Sequence, residues 1–542
     1  MEHFVGDGFA PSEYGSANRA VYGANGVCAT SHPLAAEIGM SVLRHGGSAA
    51  DAAVAMAASL TVLEPTSNGI GGDAFALVWA EGKLHGLNGS GRSGYATTLS
   101  ALKAAGHDKV PSYGWWPVTV PGAPASWHDL QARFGRLSFA EVLAPAIHCA
   151  EDGAPVPPVV AHYWNRSAKK LLTFEGKEFE AWKSTFAPDG KTPRRGEIFH
   201  APDHARTLHR LAQSDARDFY EGETAKAIVE FSETTGGRLT LEDFAAHTND
   251  WVEPLSTAYR DTEVFELPPN GQGIVALEAL GLLNHLPPAK HPLEEEGVHQ
   301  CIEAIKMAFA NADANVTDPD AMAIDAAELL EPEFLREGAA HIGDQAVERR
   351  PRLSPDGGTV YLAAVDRDGM MVSFIQSNFW GFGSGVVVPE TGIALQNRGA
   401  GFSTDPNHPG VLGPGKRPFH TIIPGFLMRD GKPWGPFGVM GGHHQPQGHA
   451  QVVRALVDHG YDPQQALHLP RWHWKHGLSV QLEVPHGDPW GDTENALRER
   501  GHDITMKSDR GGFGRGQIIL RQPNGVYVAG TDARADGIAI AY

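Results

Sequence analysis

Two hydrophobic rhythms alternate along this chain. Where apolar residues recur every three or four positions, the pattern predicts helices at residues 33–44 (stopped by His45–Gly47), 121–134, 138–153, across 201–236, 274–284, 299–312, 326–338, 451–459 and 463–468. An alanine-rich run at 48–63 predicts a helix that can lie close against a sheet. Thr240 with Asp243 three residues on reads as a helix cap. Where apolar residues are continuous or alternate, strands are predicted at 27–30, 74–79 and 83–87 (a hairpin about Glu81-Gly82), 255–267, 360–366 and 370–377 (joined by Asp366-Arg367-Asp368-Gly369) and near 516–541. Residues 1–25, the Gly-rich 64–72 and the polar 339–357 read as loops, and 155–200, rich in Pro, Lys and aromatics, as peripheral. No repeat period emerges, and interleaved strands and helices predict an α+β layered fold.

Composition narrows the classes. At 542 residues, a prior of roughly 150 per domain suggests three or four units. The motifs below instead tie distant segments into one fold. Apolar content of 42% and charged content of 20% fit a globular protein with a large core. A net charge of −20 disfavours nucleic acid, which rewards clustered Lys and Arg. Cys28, Cys149 and Cys301 are far apart, odd in number and set among small or apolar residues, which predicts buried thiols rather than disulfides or a zinc site. No apolar run approaches the roughly 20 residues of a membrane span. The first residues lack a basic-then-apolar leader pattern, so a cytoplasmic protein is expected, in which the N-x-S/T triplets at Asn88, Asn165 and Asn315 carry no meaning.

The chemistry concentrates in residues 355–402, where Gly357-Gly358-Thr359 opens a buried strand. A threonine hydroxyl inside a chain is a poor nucleophile. At a chain terminus it carries its own base, an α-amine of pKa about 8. Gly357 and Gly358 lack a Cβ, which would allow a strained turn for self-attack. A nucleophile at a strand end is held more rigidly than one on a loop. The plain alternative is an ordinary turn leading into a strand.

Several blocks then resemble the γ-glutamyltranspeptidase family of N-terminal-nucleophile hydrolases. They are GANGVCATSHPLAAEIGMSVLRHGGSAADAAVA (23–55), SNGIGGDAF (67–75), VPGAPASW (120–127), FYEGETAKAI (219–228), PPNGQG (268–273), GPGKRP (413–418) and MGGHHQP (440–446). The resemblance covers about 24–542 and rests on many segments in one order. It implies a four-layer αββα sandwich and a proenzyme in which Thr359 attacks the carbonyl of Gly358. The products would be fragments 1–358 and 359–542, interlocked as one catalytic domain and paired as a heterodimer or a dimer of heterodimers. It also implies an oxyanion hole at Gly441 and Gly442, with Ser377 orienting Thr359. Neither cofactor nor metal is implied, and the partner is a small-molecule amide rather than nucleic acid or membrane.

The substrate clamp departs from the family pattern. Ser90 stands where the family has an Arg for the glutamate α-carboxylate, with Arg92 two residues on. Gly401 stands at the acidic partner for the α-ammonium, with Arg398 upstream. His420 and Thr421 replace two serines, Phe379 replaces an asparagine with Asn378 beside it, and Thr359-Val360-Tyr361 replaces T-T-H. Arg92 and Arg398 suggest an acyl group that keeps a carboxylate, since guanidinium forks bind carboxylates, although either could serve a structural ion pair. The expected activity is hydrolysis or transfer of a γ-glutamyl or similar acidic acyl group, glutathione included. Alternatives are an oxamate amidohydrolase or glutaryl-type cephalosporin acylase, or a binding protein that never cuts itself. Trp380, beside FGSG, is a candidate pocket wall, and the Trp115-Trp116 pair reads as core. The G-x-G-x-x-G at 89–94 lacks a βαβ setting, and His443, His444 and His449 lack converging metal ligands.

Overall fold

The computed structural model describes residues 19–353, 357–485 and 487–542. Two antiparallel seven-stranded sheets form its centre. The first runs Ile538–Ala541, Val27–Thr30, Gly358–Val365, Met371–Phe379, Asp73–Ala80, Lys83–Gly89, Asp250–Val252. The second runs Val21–Gly23, Tyr527–Thr531, Arg515–Arg521, Lys432–Met440, Gly425–Arg429, Thr262–Glu266, Leu255–Tyr259. Both sheets mix strands from either side of position 359.

Strand alternation explains how the layers stack. On Gly358–Val365, Val360, Leu362 and Ala364 enter the core beneath the helices, while Tyr361, Ala363 and Val365 enter the core between the sheets. Asp73–Ala80 divides the same way, with Ala74, Ala76 and Val78 against Phe75 and Leu77. A strand buried on both faces reads as a continuous apolar run. Helices Pro33–Arg44, Ala49–Leu63, Ala123–Phe134 and Phe139–Asp152 cover the first sheet, and Gly273–Asn284, Glu295–Asn315 and Gln445–Val457 the second. This is the αββα order the resemblance implies. All fifteen residues of Ala49–Leu63 are buried, which its small alanines permit, and Ser48 with Asp51 forms its capping box.

The differences from expectation are local. The 155–200 region carries helices Pro158–Leu171 and Glu180–Phe186 around its own aromatic cluster of Trp164, Trp182, Phe186 and Phe382. The 201–236 stretch breaks into Pro202–Ser214, Asp218–Glu221 and Glu223–Thr234, with Asp215 left-handed at the first break. Helix Gln445–Val457 starts six residues before the predicted 451, because Pro446 sits in its first turn, where proline is tolerated. A three-stranded sheet, Trp472–His476, Ser479–Glu483 and Asp503–Lys507, was not anticipated. The capping box of Thr240 and Asp243 is present. Cys28, Cys149 and Cys301 are buried and unpaired. The predicted loops at 1–25 and 339–357 fall partly outside the described residues. Among the described residues no helix is long and apolar enough to cross a membrane.

Candidate active site

Thr359 lies at the end of a central strand and is only 1% exposed. Its hairpin partner carries one extra residue there: Gly358 pairs with Phe379, but Val360 pairs with Gln376. Such a bulge re-aims a side chain. Here it sets Ser377 beside Thr359, whose hydroxyl donates to Ser377 Oγ at 3.2 Å. Ser377 Oγ in turn donates to the carbonyl oxygen of Gly358 at 2.7 Å and accepts from the Phe379 N–H at 2.7 Å. One serine thus bridges the hydroxyl and the carbonyl that precedes it.

The two glycines before Thr359 are required for a different reason than a strained turn. Gly358 takes no left-handed φ. A Cβ on Gly357 would stand 2.5 Å from the Phe379 carbonyl oxygen, and one on Gly358 would stand 2.9 Å from that of Thr66. Close packing of backbone on backbone therefore excludes side chains here. Gly441 and Gly442, by contrast, have φ of 141° and 59°, conformations that favour glycine. Gly441 lines one cavity with Gly358, and the Gly442 carbonyl is held by the Gln272 side chain at 2.8 Å.

Arg398 is fully buried against Ser377. Its guanidinium donates to Thr421 Oγ1 at 2.7 Å and to Ser377 Oγ at 3.4 Å, and lies 4.1 Å over the Phe379 ring. Its Nε has no partner. Burial pushes this group down to about 9, against the favourable charge of Asp73. Asp73, opposite Ser377 in the sheet, accepts four hydrogen bonds. One oxygen accepts from the N–H groups of Gly91 and Gly122 and from Gln396, the other from His420 at 3.0 Å. Burial pushes the Asp73 carboxyl up, but the His420 hydrogen bond, the charges of His420 and Arg398, and Gln396 together hold it below its ordinary value. His420 Nδ1 accepts from the Ile422 N–H, which fixes its proton on Nε2 toward Asp73, and burial pushes its pKa down to about 4.

The other sequence candidates divide. Thr421, Trp380 and Gly401 line a cavity of about 630 Å3 beside Arg398, with Phe379, Phe309 and His443. Trp380 also lines a second cavity, of about 570 Å3, on the Gly358 and Gly441 side. Ser90 is absorbed in a network, donating to Asn88 at 2.7 Å and Asn270 at 3.2 Å. Asn378 points at the backbone of 69–72, as alternation from Ser377 demands, and its Nδ2 donates weakly to the Ala394 carbonyl. Arg92 does not join the site: it pairs with Asp318 at 2.8 Å and with the Gly415 carbonyl at 3.1 Å. A guanidinium already forked onto these partners, 37% exposed, is the structural ion pair rather than the clamp.

The sequence reading assigned no role to Asp73 or Gln272. The signal for Asp73 was a lone carboxylate opening an otherwise apolar strand, DAFALVWA. The histidine cluster splits among partners: His443 with Gln272, His444 with the Trp472 carbonyl, His449 with Glu266. A different trio, His299, Glu303 and His502, has ligand atoms within 4.8 Å of one another. Most of its atoms are engaged, His299 with His502 and the Gly343 carbonyl, Glu303 with Lys306, while His502 Nδ1 has no hydrogen-bond partner.

A gamma-glutamyltranspeptidase family model matches residues 35–542. The chain is 36% identical over 532 residues to a glutathione hydrolase-like YwrD proenzyme of Bacillus subtilis, covering 96% of this chain and 99% of that one. It is also 36% identical over 543 residues to an oxamate amidohydrolase proenzyme of Klebsiella pneumoniae, covering 96% and 98%. The crystal structure of a cephalosporin acylase from Bacillus halodurans superposes with a TM-score of 0.94 at 50% identity, covering 99% of both chains. An αββα sandwich with a buried threonine opening a central strand, matched end to end by these relatives, makes this chain an enzyme of the γ-glutamyltranspeptidase family, built on the N-terminal-nucleophile hydrolase fold.

Proposed function

We propose that this chain is a proenzyme that cuts itself between Gly358 and Thr359 and then hydrolyses amides whose acyl group carries a carboxylate but no ammonium. The observation that carries the first half is the Ser377 bridge. As Thr359 Oγ attacks the Gly358 carbonyl carbon, its proton passes to Ser377 Oγ, and the Ser377 proton passes to the carbonyl oxygen. The tetrahedral centre collapses as the C–N bond breaks, the nitrogen takes a proton, and an ester with a free α-amine remains. Water then hydrolyses the ester, leaving a Gly358 carboxylate and Thr359 as a new terminus. In the mature enzyme the α-amine takes the hydroxyl proton during attack on substrate and returns it to the leaving amine. Backbone N–H groups at Gly441 and Gly442 hold the oxyanion. The fragments 1–358 and 359–542 stay together because each sheet draws strands from both.

Arg398 carries the second half. Among the described residues Arg398 makes no direct ion pair, and only the more distant charge of Asp73 offsets its burial; a substrate carboxylate reaching it past Phe379 and Thr421, which line the 630 Å3 cavity, would add the missing contact. Asp73, whose charge reaches Arg398, is fully buried and already accepts four hydrogen bonds, which disfavours an ammonium there. Glutaryl-like or oxamate-like acyl groups fit this arrangement better than γ-glutamyl. Two measurements test the reading. Intact masses of purified protein should give one fragment beginning at Thr359. A glutaryl anilide should turn over faster than the γ-glutamyl anilide. An unbroken active chain, or a γ-glutamyl preference, would refute it.

A further inference from the structure

Gln272 stands at the N-cap position of helix Gly273–Asn284, yet its side chain does not cap that helix. The side chain is fully buried, and both ends of its amide are engaged elsewhere. The amide nitrogen donates to the Thr421 carbonyl at 2.6 Å and to the Gly442 carbonyl at 2.8 Å. The amide oxygen lies 2.9 Å from His443 Nδ1. Carbonyls can only accept, so the NH2 group faces both of them, the amide oxygen accepts, and the His443 proton sits on Nδ1. The backbone fixes the base of this side chain. The Gln272 N–H donates to the His420 carbonyl at 2.9 Å, and the His420 N–H to the Asn270 carbonyl at 2.9 Å.

The partners of this one amide serve two different tasks. Gly442 belongs to the glycine pair assigned to the oxyanion, while Thr421 accepts from Arg398 at 2.7 Å. Thr421 and His443 both line the 630 Å3 cavity. Two successive glycines have little conformational preference of their own, so a turn built from them keeps one shape only where neighbours hold it. Local bonds close this turn on itself, from the His444 N–H to the Gly441 carbonyl and from the Gln445 N–H to the Gly442 carbonyl. Gln445 Oε1 ties the following helix to the Ile423 N–H at 3.1 Å. Gln272 joins the glycine itself to the residue that meets the guanidinium. We propose that Gln272 is a positioning residue for amide turnover: it sets the separation between the oxyanion donors and Arg398, so that the scissile carbonyl and the acyl carboxylate of one substrate are held in register. This rests on the reading of Gly441-Gly442 as oxyanion hole and Arg398 as acyl clamp. Among the described residues Gln272 makes no hydrogen bond to Thr359, Ser377 or Gly358, so self-cutting through Ser377 does not depend on it.

The test uses the purified, self-cut enzyme with two anilides, glutaryl and valeryl, which match in chain length and differ in the terminal carboxylate. The wild type should prefer the glutaryl compound by about 100-fold, the effect of one buried charge contact. Gln272→Met keeps the length of the side chain and removes its amide. It should lower kcat/KM for the glutaryl anilide by about 10²-fold, the cost of misplacing reacting groups by about 1 Å. The preference over valeryl should narrow to about tenfold, because a carboxylate held out of register helps the scissile carbonyl less. Gln272→Asn, one methylene too short to reach the same partners, should behave alike, and both variants should cut themselves on the wild-type time course. A wild-type kcat/KM in these variants would overturn the inference. Equal losses on the two anilides, or loss of self-cutting in both variants, would make Gln272 a structural support and overturn it too. In each of these cases a wild type that cuts itself and prefers glutaryl leaves the proposed function standing. A wild type that turns over the two anilides equally would overturn the clamp, and this inference with it.

Discussion

In the proposed self-cutting step, replacing Ser377 by alanine removes the atom through which the proton would pass. Ser377 Oγ donates to the Gly358 carbonyl oxygen at 2.7 Å, a distance at which it stabilises charge developing there. Loss of one such donor typically costs about 10²–10³ in rate, or roughly 3–4 kcal/mol of barrier. The variant also strands the Phe379 N–H, whose acceptor is Ser377 at 2.7 Å, at a stability cost of about 1–3 kcal/mol. Self-cutting should therefore slow by about 10²–10³ while the chain still folds. The assay is a denaturing gel over time after purification, with thermal unfolding as the control for folding. Dividing 58.1 kDa in proportion to residues 1–358 and 359–542, the wild type should resolve into bands of about 38 and 20 kDa. Ser377→Ala should persist near the full mass, and Ser377→Thr, which keeps the hydroxyl, should cut. A folded Ser377→Ala chain that cuts at the wild-type rate would refute the proton path through this serine.

Arg398→Met should lower kcat/KM for a glutaryl anilide by about 100-fold, as expected for truncating one partner of a buried charge pair. Arg92→Ala should change it by less than about twofold, because Arg92 is engaged with buried Asp318 and makes no contact with Thr359, Ser377 or Arg398. Parallel kinetics of the two variants separate the clamp from the structural arginine. Gly441→Ala should reduce kcat by about 10²–10³ with less change in KM. Its φ of 141° suits glycine alone, and the added Cβ would stand 3.2 Å from Gly514 Cα. Glu278 is buried, its Oε2 has no partner, and burial pushes its carboxyl up to about 8 although Asn311 donates to it. The folded state thus holds a proton that the unfolded chain releases from about pH 4.5, so this contribution is full in acid and is lost as pH rises toward 8. Urea midpoints at pH 5 and pH 8 should show Glu278→Gln gaining on the wild type with rising pH, by on the order of a few kcal/mol at most.

Much of this protein is local, and local features are legible in a sequence. Helices Pro33–Arg44 and Pro463–His468 and strand Val27–Thr30 fall where apolar spacing and caps place them, because periodicity and capping are properties of neighbouring residues. Thr359, its two glycines and the Gly441-Gly442 pair are equally visible as motifs. The clamp is not. Arg92 and Arg398 look alike as letters. One meets Asp318, 226 positions away, in a direct ion pair; the other is sealed against Phe379 and Thr421, with only the more distant charge of Asp73 to offset it. Asp73 is an ordinary strand residue until His420, 347 positions on, closes over it. The chain by itself determined the alternation of strands and helices and the motif that marks Thr359 as the candidate nucleophile. Only the packed fold decided which charges meet a partner and which stay buried without a direct ion pair, because desolvation and long-range partnership exist only once both sheets have met.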